Sequence, residues 1–316
     1  MMKKAIRKVS LPLFASAGVT AAAVGIYQAV CLFRANRKAD TTPHDTYTTP
    51  DGISMAYERH GFGRPVILLH SLHPGASRRE WRPQIERLEK EYRLYTIDLP
   101  GYGQSDKPRQ PWTAYQYAQT LHHFIQDVIG GSVALVAANG GADIALVLSK
   151  LHPEDFKKLV LISPEGIGRG FATPQDTEKL KKLMLPYFGT QTFLDATSKK
   201  NLRRLAEDLF YQKERMPADF VKNLQKNARY GKGAQASYAA YATRFAAADT
   251  KEAFAALDIP FVLIWGEKNP LNSAVYLETA EKMQDKGEFL LFEDTAALPH
   301  IENYKVFGEM LLDFLS

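Results

Sequence analysis

The sequence predicts an α/β fold: a mostly parallel, doubly wound sheet with a helical cap, preceded by an N-terminal transmembrane helix. Three observations predict it. Short Leu/Val/Ile runs alternate with amphipathic helical patterns, as parallel strands with crossover helices do. About 95 residues of mostly helical pattern interrupt that alternation, too many for a loop. An uncharged run of 23 residues, Leu11 to Phe33, stands near the N-terminus.

That run, as a helix rising 1.5 Å per residue, reaches about 35 Å and would cross a hydrocarbon core of about 30 Å with some tilt. Its competitor is a cleaved signal segment processed near Ala21-Ala22-Ala23, but the apolar run continues ten residues further and ends at Arg34. Residues 1–34 are therefore expected to be an uncleaved single-pass anchor in the cell membrane. Four basic residues precede the span and three follow it closely, which places the globular body outside the cytoplasm. The polar residues 35–48 read as a linker.

The globular domain, 49–316, opens with the turn Thr49-Pro50-Asp51-Gly52-Ile53 and a strand over 54–59. Pro65 to His70 is continuously apolar before its histidine, the mark of a strand buried on both faces. A helix follows over 78–92, a strand over 93–98, a glycine-rich turn over 99–108 and a helix over 115–129. A strand at 133–137 enters the small-residue cluster Ala137-Ala138-Asn139-Gly140-Gly141, and a helix leaves it toward Leu151. A strand that turns sharply into a helix needs small side chains, because the two backbones nearly touch. Further strands are expected over 158–163, 259–266 and 289–292, with a last helix over 304–315. The cap occupies about 171–257.

The net charge of +5 does not describe the body. Residues 1–40 hold seven Lys/Arg and one acid, and the remaining 276 residues carry 33 basic and 34 acidic side chains. Without a basic excess the domain has no electrostatic footprint for nucleic acid. The single cysteine, Cys31, excludes an intrachain disulfide. His70 and His73 lack a third ligand nearby in sequence, so no metal is expected, and no cofactor motif occurs.

In order along the chain, Thr49-Pro50-Asp51-Gly52, Leu69-His70, Asp98-Leu99-Pro100-Gly101-Tyr102-Gly103-Gln104-Ser105, the Asn139 turn, Ile264-Trp265-Gly266-Glu267-Lys268-Asn269-Pro270 and Leu298-Pro299-His300-Ile301-Glu302-Asn303 resemble the landmarks of the α/β-hydrolase superfamily, in its capped esterase, lipase and dehalogenase-like branch. The resemblance covers roughly 49–316. It implies a nucleophile on the elbow, a histidine that takes its proton and an acid that orients the imidazole. At the matching positions this chain has Asn139, Ala297 and Asn269. An Asp-to-Asn change in the orienting acid alone cuts turnover by about 10⁴, and loss of a whole triad by about 10⁶. His300 matches the second, non-catalytic histidine of the motif. The backbone donors of an oxyanion hole survive at Leu72 and Gly140, and Ser71 replaces the usual glycine beside His70.

Glu165, after the strand at 158–163, and His300 are the candidate rescuers of catalysis. Asp143 reads as a packing or capping residue, and Ser105 and Ser163 as turn residues. Deamidation at Asn139-Gly140 would supply an aspartate, but no histidine to release an ester from it. The expectation is a membrane-anchored, catalytically degenerate relative of esterases and lipases. It would bind a small apolar or ester-like molecule beside His70, Ser71, Leu72 and Gly140, or a protein partner the sequence does not identify. The alternative is an active hydrolase that uses non-standard residues.

Overall fold

A computed structural model describes residues 22–33, 42–168 and 172–316. Eight strands form one sheet: β1 (Asp45–Thr48), β2 (Ser54–His60), β3 (Arg64–Leu69), β4 (Tyr92–Ile97), β5 (Val133–Ala138), β6 (Phe156–Ile162), β7 (Phe261–Gly266) and β8 (Glu288–Phe292). Their order is β1-β2-β4-β3-β5-β6-β7-β8. The first two pairings, β1 with β2 and β2 with β4, are antiparallel, and β3 to β8 run parallel.

Strand residues alternate between two cores, as the two-residue period of a strand requires. Ile67, Leu69, Leu135 and Leu161 pack on one face with Phe124 and Trp265. Val66, Leu68, Val136 and Ile162 pack on the other with Trp81 and Phe307. Both faces are covered, so β3, β5, β6 and β7 read as apolar runs rather than alternating ones. The helix Ala114–Phe124 begins at a capping box between Thr113 and Gln116.

Between β6 and β7, in the stretch read as the cap, stand the helices Pro174–Met184, Phe188–Ala196, Lys199–Leu209, Phe220–Ala228 and Ala234–Ala242. Asn227 ties it to the loop after β3, its amide donating to the Gly75 carbonyl at 3.3 Å and to Ser77 Oγ at 3.1 Å. Gly75, at φ +83°, backs onto the cap so closely that a Cβ there would stand 2.2 Å from the Leu224 carbonyl oxygen.

Two expectations at the N-terminal side fall on residues that the structure describes only in part. Among the described residues no helix is long and apolar enough to cross a membrane. Residues 22–33 form a helix of about 18 Å at 1.5 Å per residue. It lies on the cap, with Gln28 donating to the Tyr187 carbonyl at 2.9 Å and with Cys31 and Leu32 against Phe193 and Leu194. Hydropathy alone does not distinguish a span from a helix that buries one side on protein. The remainder of the expected span, residues 11–21, lies outside the described residues. Within the segment read as a linker, Asp45–Thr48 is an edge strand; Tyr47 packs edge-on against Phe124 at 5.6 Å and its hydroxyl donates to Asp127 Oδ2 at 2.5 Å.

Candidate functional site

Asn139 closes β5 and opens the helix Gly140–Leu151, with φ 48° and ψ −120°. A side chain other than glycine is uncommon at positive φ, and such strain persists only where the surroundings hold it. Here the Asn139 N–H donates to the Ile162 carbonyl at 2.7 Å, and its carbonyl accepts from the Ala142 N–H at 2.9 Å. The two following glycines are needed for approach. A Cβ on Gly140 would stand 2.8 Å from Leu72 Cδ1, and one on Gly141 would stand 2.5 Å from the His70 carbonyl oxygen. The chain thus builds a strand–elbow–helix turn with an amide at its tip.

That amide is buried. Asn139 Nδ2 donates to Ser71 Oγ at 3.0 Å and to the Ala297 carbonyl at 3.2 Å. Asn139 and Ala297 therefore meet, although 158 residues separate them along the chain. The loop bearing Asn269 is laced to the same corner, since the Lys268 N–H donates to the Thr295 carbonyl at 2.9 Å. Asn269 Oδ1 accepts from the N–H groups of Leu271 and Asn272 at 3.0 and 3.1 Å. Its buried Nδ2, a donor where an orienting acid would offer an acceptor, has no hydrogen-bond partner.

Leu72 and Gly140, the expected oxyanion donors, lie side by side, with the Leu72 side chain over Gly140. Among the described residues no hydrogen-bond partner faces the backbone N–H of either. The Leu72 side chain fills the space against Gly140, and its carbonyl accepts from the Tyr102 hydroxyl at 2.9 Å. His70 is committed elsewhere: Nδ1 is 2.5 Å from the Ser71 carbonyl and Nε2 accepts from the Leu99 N–H at 3.1 Å. Burial, acting against the charge of Asp98, lowers its pKa, so the ring is neutral and both nitrogens are engaged.

The titratable groups gather one step away, around Glu80. Its carboxylate accepts from Ser71 Oγ at 2.8 Å and from His300 Nε2 at 3.1 Å, and His73 Nε2 stands 3.7 Å away. Burial opposes ionisation, but the hydrogen bond and charge of His300, joined by His73 and His70, outweigh it and hold the Glu80 carboxyl below its usual range. His300 stacks on Trp81 with ring centroids 4.4 Å apart, and so faces Glu80. Glu165 is placed in a different group: its N–H donates to Asp143 Oδ2 at 3.2 Å. Asp143 is buried one turn into the elbow helix, where desolvation and then the charge of Glu165 raise its pKa well above the usual carboxylate range. The two candidate rescuers thus belong to separate hydrogen-bonded clusters. Among the described residues no group of three or more His, Cys, Asp or Glu is arranged to hold a metal ion.

His73 and Glu80 line a cavity of about 250 Å³ between the loop after β3 and the cap helix Phe220–Ala228, with Arg82, Phe220, Leu224 and Ile301 also on its wall. Asn139, Asn269 and Ala297 do not line it. Sequence reasoning missed this cluster because Glu80 sits within a stretch read as one amphipathic helix. The structure makes Arg78–Trp81 a buried 3₁₀ turn, with Arg78 paired to Asp98. No local pattern announces Glu80, since its partner His300 is 220 residues away.

Residues 64–304 match the family model described as the alpha/beta hydrolase fold, and the chain belongs to that family. Two relatives give the range of similarity. One is a 2-hydroxy-6-oxo-6-(2'-aminophenyl)hexa-2,4-dienoic acid hydrolase of Metapseudomonas resinovorans, 31% identical over 134 residues. That match covers 42% of this chain and 46% of the relative, so it spans about half of the curated protein. A pimeloyl-[acyl-carrier protein] methyl ester esterase of Vibrio vulnificus is 22% identical over 82% of this chain and 97% of its own. Among solved structures, an esterase from Thermogutta terrifontis superposes with a TM-score of 0.71 at 18% identity, covering 87% of this chain and 98% of that one. An esterase from Exiguobacterium antarcticum gives 0.70 at 18%, covering 86% and 99%.

Proposed function

We propose that this protein is a catalytically silent α/β-hydrolase-fold protein that binds a small ligand in the cavity beside Glu80. One observation carries the reading. The elbow amide of Asn139 donates to the Ala297 carbonyl and Ser71 Oγ, and among the described residues no histidine nitrogen is hydrogen-bonded to it. A general base must lie within hydrogen-bond reach of the proton it takes, and His300, spent on Glu80, does not reach Asn139 through any hydrogen bond.

The cavity describes its ligand by class. Its 250 Å³ correspond to about eight water volumes at ~30 Å³ each, the size of one substituted ring. Phe220, Leu224 and Ile301 suit an apolar body, Arg82 a carboxylate, and His73 with Glu80 a hydroxyl. A hydroxylated aromatic or conjugated carboxylate meets all three, and a relative is named for acting on a hydroxylated dienoic acid. Calorimetric titration with 4-hydroxyphenylacetate is expected to give saturable binding that weakens at least tenfold in Glu80→Ala. A panel of p-nitrophenyl esters is expected to give background rates only.

A second reading is favoured by family membership together with the acid–base groups on the cavity wall. In it Glu80 activates water for ester hydrolysis, with His300 holding the carboxylate ionised. Turnover of any panel ester that disappears in Glu80→Gln would establish this reading and sink the first.

A further inference from the structure

The helix over residues 22–33 covers part of the cap but leaves its own outer side open. Gln28 and Leu32 face inward; Ile26, Tyr27 and Val30, on the opposite side by helical spacing, face outward, with Ile26 65% exposed. No charged residue occurs in these twelve positions. The apolar surface continues onto the cap. Tyr187 accepts the Gln28 amide at its carbonyl, and Leu185, Tyr187 and Phe188 are each more than half exposed. Their turn is strained: Tyr187 has φ 60° and ψ −65°, and the Phe188 N–H donates back to the Pro186 carbonyl at 2.7 Å, the rare γ-turn. A fold that holds a strained turn while presenting large apolar side chains to water is spending stability on a surface.

Charge says what covers it. Residues 171–257 carry 15 Lys/Arg against nine Asp/Glu, whereas the rest of 49–316 carries 18 against 24. The cap is thus cationic and the sheet domain anionic by the same margin. Seven more basic residues flank the apolar helix within residues 1–40. An apolar helix beside aromatic side chains, backed by cationic charge, is what binds in the plane of an anionic bilayer.

We infer that the outer side of helix 22–33 and the Leu185–Phe188 turn form one lipid-facing surface, so that the cap rests on an anionic membrane and the sheet points away from it. This differs from a tether at the N-terminus alone, which would leave the cap in water.

The test uses the full chain with Cys31→Ala, an environment-sensitive nitrobenzoxadiazole label on either Phe188→Cys or Lys157→Cys, and vesicles of phosphatidylcholine with or without about 30% phosphatidylglycerol. Lys157 is exposed at the start of β6, at the opposite end of the strand from the elbow. The label at 188 is expected to be quenched by doxyl-labelled lipid and the label at 157 not, with binding about tenfold stronger on the anionic vesicles. Leu185→Asp with Phe188→Asp is expected to abolish the quenching at an unchanged melting temperature, read from a label on Tyr187→Cys. Vesicle-bound protein with equal, weak quenching at 188 and 157 would show a tether only and overturn the inference. Failure to bind either vesicle, or equal binding to both, would overturn it as well.

Discussion

Asn139 combines positive-φ backbone at a strand–helix turn with a side chain that acts as a hydrogen-bond donor. Both its Nδ2 contacts are buried, so changing it to serine removes them without supplying a base. Asn139→Ser alone is expected to leave p-nitrophenyl acetate hydrolysis at background. On the proposed reading, the triple change Asn139→Ser, Asn269→Asp, Ala297→His supplies the groups of a triad at the three matching positions. Since triad members act as a unit worth about 10⁶ in a mature enzyme, even a poorly packed rebuild is expected to exceed the single variant at least about tenfold. Equal rates in the two would mean that the three positions do not form one site. Histidine burial gives a second test. His70 and His73 have pKa values lowered by desolvation, so the unfolded chain binds more protons below the ordinary value near 6.5. Their contribution is complete above that pH and is lost as pH falls through it; Glu80, also lowered, adds loss of the same sign below its ordinary 4.5. The melting temperature is expected to fall from pH 6.5 to 5, and less steeply in His73→Gln.

Among the elements, the loop after β3 does most to define the site, and the cap clamps it. Gly75 and Gly52 are both at positive φ, yet they differ in what surrounds them. Nothing lies within 4 Å of a Cβ on Gly52, so Gly52→Ala carries only the left-handed backbone cost of about 1 kcal/mol. At Gly75 the added carbon meets the Leu224 backbone, and Gly75→Ala is expected to cost about 3 kcal/mol or more and to loosen the cap. Urea midpoints of the two variants check the contrast. The sequence shows both glycines in turns; only the packing of the cap tells them apart.

At the scale of the whole molecule, the sheet and the cap differ in what holds them. Strands β3, β5, β6 and β7 are buried on both faces, whereas the cap helices form small separate clusters. Local opening follows such differences in buried apolar contact. Amide exchange is therefore expected to be at least about 10²-fold slower in β5 and β6 than in the helix Pro174–Met184, with binding of 4-hydroxyphenylacetate slowing exchange in the helix Phe220–Ala228. Uniform protection across sheet and cap would contradict this division.

The sequence by itself determined the parallel sheet, the inserted cap and the elbow at Asn139. Each of these is written in local terms: apolar runs, helical periodicity, and small residues where two backbones touch. It also carries the proposal that Asn139, Asn269 and Ala297 stand where relatives of this family keep their working residues, because the landmarks keep their order. The tertiary structure alone decided that Glu80, His73 and His300 form a cluster beside a cavity, and that Glu165 belongs with Asp143. It alone placed residues 22–33 on the cap, where hydropathy had suggested part of a membrane span. The physical reason is the same in each case. A carboxylate's or a helix's partner is chosen by proximity in space, and no spacing along the chain records a contact across 220 residues.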